Sequence, residues 1–384
     1  MQTRVSAPIL PLTSIRFFAA IYVVFLHSAM LSHHLDTYTW RGRFIRSGYT
    51  AVGFFFVLSG YILAHVYLNS GRSFNRRAFW TSRFARVYPL LVASLLLDIP
   101  QDLSIRISLH GLGSGVVRSV VELLSECALL QSWDGHFRNI NAPSWSLSAE
   151  AFFYLIFPFV SFWIWRRKGV KAFGLLVFFW ACALLIPLLV TLRYPTLFVE
   201  VDSSRLQLAV ELMPIFRMFE FFAGIALCSL QVSLAKRFNP VQLNRLAYLS
   251  LGIAFGLFIV AIEFANDIPL LVMSNGLLLP VSALVILGLS NIDGWVAHLL
   301  SFRFLVILGE SSYAVYLLHM PIWAYFVRVH AINTLRAWAL YMVVVIAVSI
   351  ASFFLLERPS RTKILALAAI RPSATLKQEV VVPR

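Results

Sequence analysis

The 384-residue chain is 60% hydrophobic and only 13% charged, and its mean hydropathy is +0.80. These values exclude an ordinary soluble domain and indicate a polytopic membrane protein, at this length a single bundle. A net charge of +15 could suggest a nucleic-acid partner, but the positions of the charges argue against nucleic acid.

Hydropathy places ten membrane spans at about 12–32, 48–69, 84–98, 146–165, 172–192, 211–230, 246–263, 270–290, 304–327 and 337–356, an all-α fold. Loops and span ends on the N-terminal side then carry 20 Lys/Arg and those on the opposite side 10, with Arg16 and Arg217 inside spans. That bias puts both termini in the cytoplasm, with the basic residues serving topology and anionic lipid headgroups. Residues 1–357 read as one membrane domain and 358–384 as a basic, weakly patterned cytoplasmic tail. The start lacks a small-residue cleavage site and reads as an uncleaved anchor. Cys127, Cys182 and Cys228 are odd in number, the last two inside spans, so no disulfide framework is implied.

The first span, LTSIRFFAAIYVVFLH (12–27), holds two ionisable residues. Arg16 and His27 are eleven residues apart, three turns to within about 20°, so they share a face about 16 Å from end to end. Ionisable side chains at membrane depth normally face a bundle interior or a wet cavity. A snorkelling Arg with a structural, hydrogen-bonded His is the plainer explanation; a site is the other. In the outer loop 33–47, Arg41, Arg43 and Arg46 break the charge bias and form either a solvated rim or a contact for an anionic glycan or lipid phosphate. His33, His34 and Asp36 match no metal-site spacing, so no metal is expected. In the second span, SGYTAVGFFFVLSGYILAHVYL, small residues permit close helix approach, and His65 near the inner end reads as structural.

Arg72, Arg76, Arg77, Arg83 and Arg86 follow within fifteen residues, in keeping with an inside loop. Arg83 and Arg86 are one turn apart at the entrance to the third span, where two guanidiniums make a fork for a phosphate. Pro89 suits the beginning or a kink of that helix. In the outer segment 99–145, residues 116–130 are amphipathic: Arg118, Glu122 and Glu126 fall on one face, with Val117, Val120, Val121 and Leu124 on the other. A helix at the outer interface or over a cavity mouth is expected. The run GLGSG (111–115) has no preceding strand and reads as a flexible turn.

The chain re-enters the membrane at NAPSWSLSAE (141–150), with Pro143 marking the start of the helix and Ser144 placed to cap it. Glu150 lies about four residues inside the outer boundary and His27 about five, so their depths match, and an intramembrane carboxylate needs a partner such as a protonatable His. Arg217 and Glu220, three apart in the sixth span, are expected to neutralise each other. In LGESSYAVYLLHMPIW, Ser312, Tyr316 and His319 fall at i, i+4 and i+7, a polar stripe lining the same interior as packing or as a cavity wall.

Taken together, Arg16 to His27, SGYTAVGFFFVLSGY, the Arg83/Arg86 pair with Pro89, NAPSWSLSAE, LGESSYAVYLLHMP and the late Glu357-Arg358-Pro359 resemble the membrane-bound acyltransferase-3 family over essentially the whole chain. The resemblance implies an integral inner-membrane enzyme that moves an acyl group, commonly acetyl, from cytoplasmic acyl-CoA to a hydroxyl of an envelope glycan or lipid-linked sugar, with acyl-CoA as co-substrate and no bound cofactor. It makes His27 the catalytic histidine, with Glu150 the acidic residue after Trp145. It makes Arg16 the partner of His27 on the first span and Arg83 and Arg86 the donor-binding pair. The residues themselves further suggest Arg16 as a lining of the donor channel and Trp145, Ser146, Ser312, Tyr316 and His319 as candidates for the cavity wall. Gly53 departs from the pattern, since many members carry an acidic residue there. No hydrolase-like extension is read after the last span, which weakens an assignment to two-domain peptidoglycan or O-antigen enzymes. A secondary transporter or exporter is the competing class, disfavoured because no paired broken helices in two matching halves are readable.

The chemistry sought is then thioester-to-hydroxyl transfer, which requires a base for the alcohol proton and stabilisation of the developing oxyanion. His27 oriented by Glu150 is the expected base.

Overall fold

A computed structural model describes residues 8–31, 36–69, 73–133, 139–194, 205–329 and 334–368. Among them there are helices and no strands. In chain order these are α1 (Leu10–Leu31), α2 (Trp40–Arg46), α3 (Thr50–Tyr67), α4 (Arg76–His110), α5 (Leu112–Cys127), α6 (Trp145–Trp165), α7 (Val170–Arg193), α8 (Arg205–Leu212), α9 (Pro214–Arg237) and α10 (Pro240–Glu263). They continue with α11 (Leu270–Val272), α12 (Leu279–Asn291), α13 (Trp295–Leu300), α14 (Arg303–Glu310), α15 (Ser312–Val329), α16 (Leu335–Ser352) and α17 (Arg358–Leu367).

Among the described residues eight helical stretches are long and apolar enough to cross a membrane, or nine if α14 and α15, bent by 57° at their junction, form one span. Ten were expected, and with α14 and α15 counted as one span the difference is α4. Its uncharged part, residues 87–97, lies between Arg86 and Asp98 and rises only about 16 Å, about half the hydrocarbon thickness. The helix is nonetheless continuous for 35 residues and carries Pro89 and Pro100 without interruption.

At the centre α3 crosses α9 at close range. A Cβ on Gly60 would run into the carbonyl oxygen of Phe221, and one on Gly224 into that of Val57. Small residues let backbones approach this way where no hydrophobic effect separates protein from lipid. Around this crossing Phe56, Phe153, Phe157 and Phe221 interlock edge to face and by stacking, with ring centroids 4.9–6.1 Å apart. Helices α6 and α7 also pack against α9, α6 touching α3 as well, while α1 is held by α3, α14 and α15.

Between α11 and α12 the backbone leaves helical geometry at Asn275 and Gly276, the latter with φ +80°. Unwound backbone at membrane depth must find partners within the protein. Arg217 supplies them by donating to Ser274 O at 2.7 Å and to the Asn275 side chain, while Glu220 accepts from Gly276 N at 3.3 Å. The two are also ion-paired at 3.1 Å, so they do neutralise each other as expected and staple a broken helix as well.

Outside the spans, α5 folds back along α4. Arg106 bridges Asp102 at 2.7 Å and Glu122, and Ser119 donates to Asp102 at 2.8 Å. The acidic face of the amphipathic helix therefore turns inward, leaving Val117, Val120, Val121 and Leu124 exposed. Residues 112–115, within the expected flexible turn, belong to α5, and only Gly111 (φ +79°) makes the corner. The expected tail likewise begins as a helix, α17, which packs on α4 and buries Leu365.

Replacing Gly224 with Val should lower the thermal unfolding midpoint in detergent, by about 1–3 kcal/mol or more of stability. Tryptophan fluorescence would read it, and an unchanged midpoint would mean that α3 and α9 do not cross so closely.

Candidate active site

A cavity of about 140 Å³ lies between α1, α3, α4, α6 and α15, lined by Arg16, Arg83, Arg86, Ser146, Glu150, Tyr154, Ser312, Tyr313 and Tyr316 with apolar side chains of α3. Seven of the ten residues singled out from the sequence thus meet at one place. Trp145, His27 and His319 are not in its wall. Trp145 packs edge-on against Phe56 at 6.1 Å.

The inner part of the cavity is cationic because α4 projects Arg83 and Arg86 from successive turns. Arg83 lies 5.8 Å from the Tyr67 ring and 6.0 Å from that of Tyr154, and donates to Tyr67 Oη at 3.5 Å. Arg86 Nη2 is enclosed without a hydrogen-bond partner among the described residues. Glu150 faces the charges of Arg86, Arg16 and Arg83 and accepts a hydrogen bond from Tyr154 at 2.9 Å. Glu357, buried, faces Arg86 and Arg16 as well. Neither Tyr154 nor Glu357 stood out in the sequence as a site residue, though Glu357's place in the Glu-Arg-Pro run was a usable signal.

The expected pairing of Glu150 with His27 is not what the structure contains. Matched depth did not fix the direction in which each side chain points, and Glu150 turns toward the guanidiniums, a stronger source of compensating charge than a neutral imidazole. His27 Nδ1 instead lies 2.8 Å from His319 Nε2, and His319 Nδ1 lies 2.7 Å from the carbonyl oxygen of Tyr316. His319 is fully buried. Tyr316 stands between the cavity and this pair, its ring centroid 6.3 Å from that of His319 and its hydroxyl donating to Pro143 O at 3.1 Å.

The entry into α6 is anchored from outside the spans. Ser144 does not cap the helix; its hydroxyl donates to Glu126 at 2.7 Å, and the backbone N–H of Ile140 donates to the same carboxylate. Gln131 donates to Ser144 O at 2.7 Å, Ser132 to Trp145 O at 2.9 Å, and Asn141 to Leu317 O at 2.9 Å. These bonds fix where Ser146 and Glu150 begin their turn of helix. At Gly53, the departure from the family pattern, a Cβ would sit 2.9 Å from Glu220 Oε1, so Glu220 brings a carboxylate to the space that a side chain at 53 would take. His65 lies parallel to the Tyr61 ring and outside the cavity wall, and His33 and His34 fall outside the described residues.

A family model described as an acyltransferase domain matches residues 12–356. The chain belongs to the acyltransferase-3 family. It is an acyltransferase and a multi-pass membrane protein rather than a transporter, although two of its helical stretches are bent or unwound. Among curated relatives, the protein named putative peptidoglycan O-acetyltransferase YrhL of Bacillus subtilis is 25% identical over 92% of this chain and 55% of its own length. Peptidoglycan O-acetyltransferase OatA of Listeria monocytogenes is 26% identical over 87% of this chain and 54% of its own. The acyltransferase MdmB of Streptomyces mycarofaciens is 31% identical over 82% of this chain and 79% of its own. The chain thus spans about half the length of the two peptidoglycan relatives. No solved structure gives a significant match.

Burial pushes the Glu126 carboxyl up from its ordinary 4.5 to about 7, against the lowering effect of Ser144 and the Ile140 N–H. A carboxyl raised by folding contributes stability that is complete below its unfolded pKa of 4.5 and is lost as pH rises through about 7. Thermal stability of the purified protein should therefore decline across that window, and Glu126→Gln should flatten the decline. An equally steep decline in the variant would exclude Glu126 as its source.

Proposed function

We propose that the protein transfers an acyl group, most simply acetyl, from cytoplasmic acyl-CoA to a hydroxyl of an envelope glycan or lipid-linked sugar. The observation that carries this reading is the cationic cavity, in which Arg86 offers an enclosed, unpartnered N–H group beside Arg83 and Arg16. An anionic donor supplies what such a group lacks. The names of the Bacillus and Listeria relatives support a hydroxyl of peptidoglycan as the acceptor class. The charge bias along the chain supports a cytoplasmic membrane with both termini inside, and so a donor entering from the Arg83 and Arg86 end.

In this reading the nucleotide end of the donor rests on Arg83 and Arg86, and the pantetheine arm follows the cavity past Arg16 toward Ser146, Ser312 and Tyr316. Glu150 and Glu357 keep the empty cluster close to charge balance. His27 removes the acceptor hydroxyl's proton as the alcohol oxygen attacks the thioester carbonyl carbon; the carbon–sulfur bond then breaks and the proton returns to the departing thiolate. Hydroxyl groups at the end of the cavity are the available donors to the oxyanion.

The purified protein in detergent should transfer labelled acetyl from acetyl-CoA to an envelope glycan, and His27→Ala should abolish transfer while leaving coenzyme A binding close to normal. No transfer to any envelope fraction by the folded wild type would contradict the proposal. Alanine at Arg83 and at Arg86 should each weaken coenzyme A binding by about 10–150-fold, since losing a charge-assisted contact costs roughly 1.5–3 kcal/mol. Lysine should restore it only in part, having no fork. Unchanged affinity in the double alanine variant would reduce the pair to topology determinants.

Orientation can be measured separately. With Cys127, Cys182 and Cys228 replaced, single cysteines introduced in 73–82 or 232–244 should resist an impermeant thiol reagent on sealed cells, and one in 133–142 should react. Labelling of the first two would reverse the donor side.

A further inference from the structure

The two histidines 292 positions apart in sequence are the closest pairing of titratable rings in the site, and their geometry carries more information than proximity. The ring planes are within 5° of parallel, yet the centroids are 5.1 Å apart. With nitrogens only 2.8 Å apart, that combination means the rings meet edge to edge, as an N–H···N hydrogen bond in the ring plane requires.

The direction of this bond follows from the other end of His319. A backbone carbonyl only accepts, so His319 Nδ1, 2.7 Å from Tyr316 O, carries the hydrogen. In a neutral imidazole the remaining nitrogen is then an acceptor, so His319 Nε2 presents a lone pair. His27 Nδ1 must therefore donate to it, which leaves the His27 lone pair on Nε2. Among the described residues Nε2 has no partner, and it belongs to the half-buried ring of the pair. His319 cannot rotate away from this task. It is fully enclosed, and its own backbone carbonyl is held by the Tyr341 hydroxyl at 3.0 Å. On the α1 side, Trp338 donates to Ser28 Oγ at 3.0 Å and fixes the residue next to His27.

We infer that His319 is the positioning residue of the acyl transfer: by accepting from His27 Nδ1 it selects the tautomer whose Nε2 is free to take the acceptor's proton. This rests on the reading of His27 as the base. It assigns to a neutral histidine the part that matched depth alone had given to Glu150. An acyl transfer needs the same nitrogen to hold the proton and then release it to the thiolate, and a fixed Nδ1–H bond lets Nε2 do both without the ring turning.

Two substitutions of similar bulk separate this role from packing. Glutamine at 319 places an acceptor oxygen near the position of Nε2, whereas methionine fills the space without a competent acceptor. With folding checked by thermal unfolding, His319→Met should lower kcat by about 10²-fold or more while the KM for acetyl-CoA stays within about twofold. His319→Gln should retain kcat to within about tenfold of the wild type. Equal activity in the two folded variants, whether high or low, would overturn the inference. Should neither variant fold, nitrogen-15 NMR of histidine-labelled wild type, with His27 assigned by loss of its signal in His27→Ala, decides the point: a proton on Nδ1 of His27 is expected and a proton on Nε2 contradicts it. If His27→Ala itself keeps substantial turnover, the base assignment has failed; if that variant is inactive but His319→Met matches His319→Gln, only the positioning role has.

Discussion

Three guanidinium groups and the Glu150 carboxylate line one cavity inside the bundle, and a second carboxylate, Glu357, is buried facing two of those guanidiniums. Arg86 and Arg16 face both Glu150 and Glu357, and Arg83 faces Glu150. A partner missing from such a cluster leaves an uncompensated buried charge, which costs far more than the pair itself stabilises. The consequence reaches well beyond the cavity. Because α4 carries two arginines into the bundle, its apolar run is too short to be a plain span and the helix must pack against protein along its inner half. Because Glu150 answers those arginines, the entry of α6 must be set to within a fraction of a turn, and the Glu126, Gln131, Ser132 and Asn141 contacts set it.

A second polar centre, Arg217 with Glu220, obeys the same rule to a different end. There the charges satisfy each other and the unwound backbone at Asn275 and Gly276, leaving little for a ligand. Arg217 directs Nη1 and Nη2 to Ser274, Asn275 and Glu220, although its Nε, like Nη2 of Arg86, has no hydrogen-bond partner among the described residues. At Gly53, where the resemblance led to the expectation of an acidic residue, Glu220 of the neighbouring helix brings a carboxylate to the space a side chain would take.

Much of the site was legible in the sequence because ionisable residues are so costly in apolar helices that each one had to have a reason. Arg16 and Glu150 were found this way, Arg83 and Arg86 by their one-turn spacing, and the Ser312 to His319 stripe by helical period. Contacts across the bundle were not legible. Period and depth say which face a residue occupies and how deep it lies, but not which neighbour it meets, so Glu150 was matched to His27 when its partners are Tyr154 and the arginines. Tyr154 and Tyr313 carry no such signal, because aromatic residues look ordinary in one dimension, and Glu357 is marked only by its Glu-Arg-Pro run. Helix α5 was read correctly as amphipathic, yet its polar face turned out to be the one packed inward, since Arg106 on α4 offers charges that the lipid side lacks.

The central claim is that the donor's nucleotide rests on Arg83 and Arg86 in the cavity while its thioester reaches past Ser312 and Tyr316 to the histidine pair beyond the cavity wall. The most direct measurement is a structure of the protein bound to a thioether analogue of acetyl-CoA that cannot be cleaved. The account predicts phosphate oxygens within hydrogen-bond reach of Arg83 and Arg86, and the thioether sulfur beyond Ser312 and Tyr316 beside His27. Nucleotide bound away from α4, or an analogue whose sulfur lies remote from His27, would contradict it.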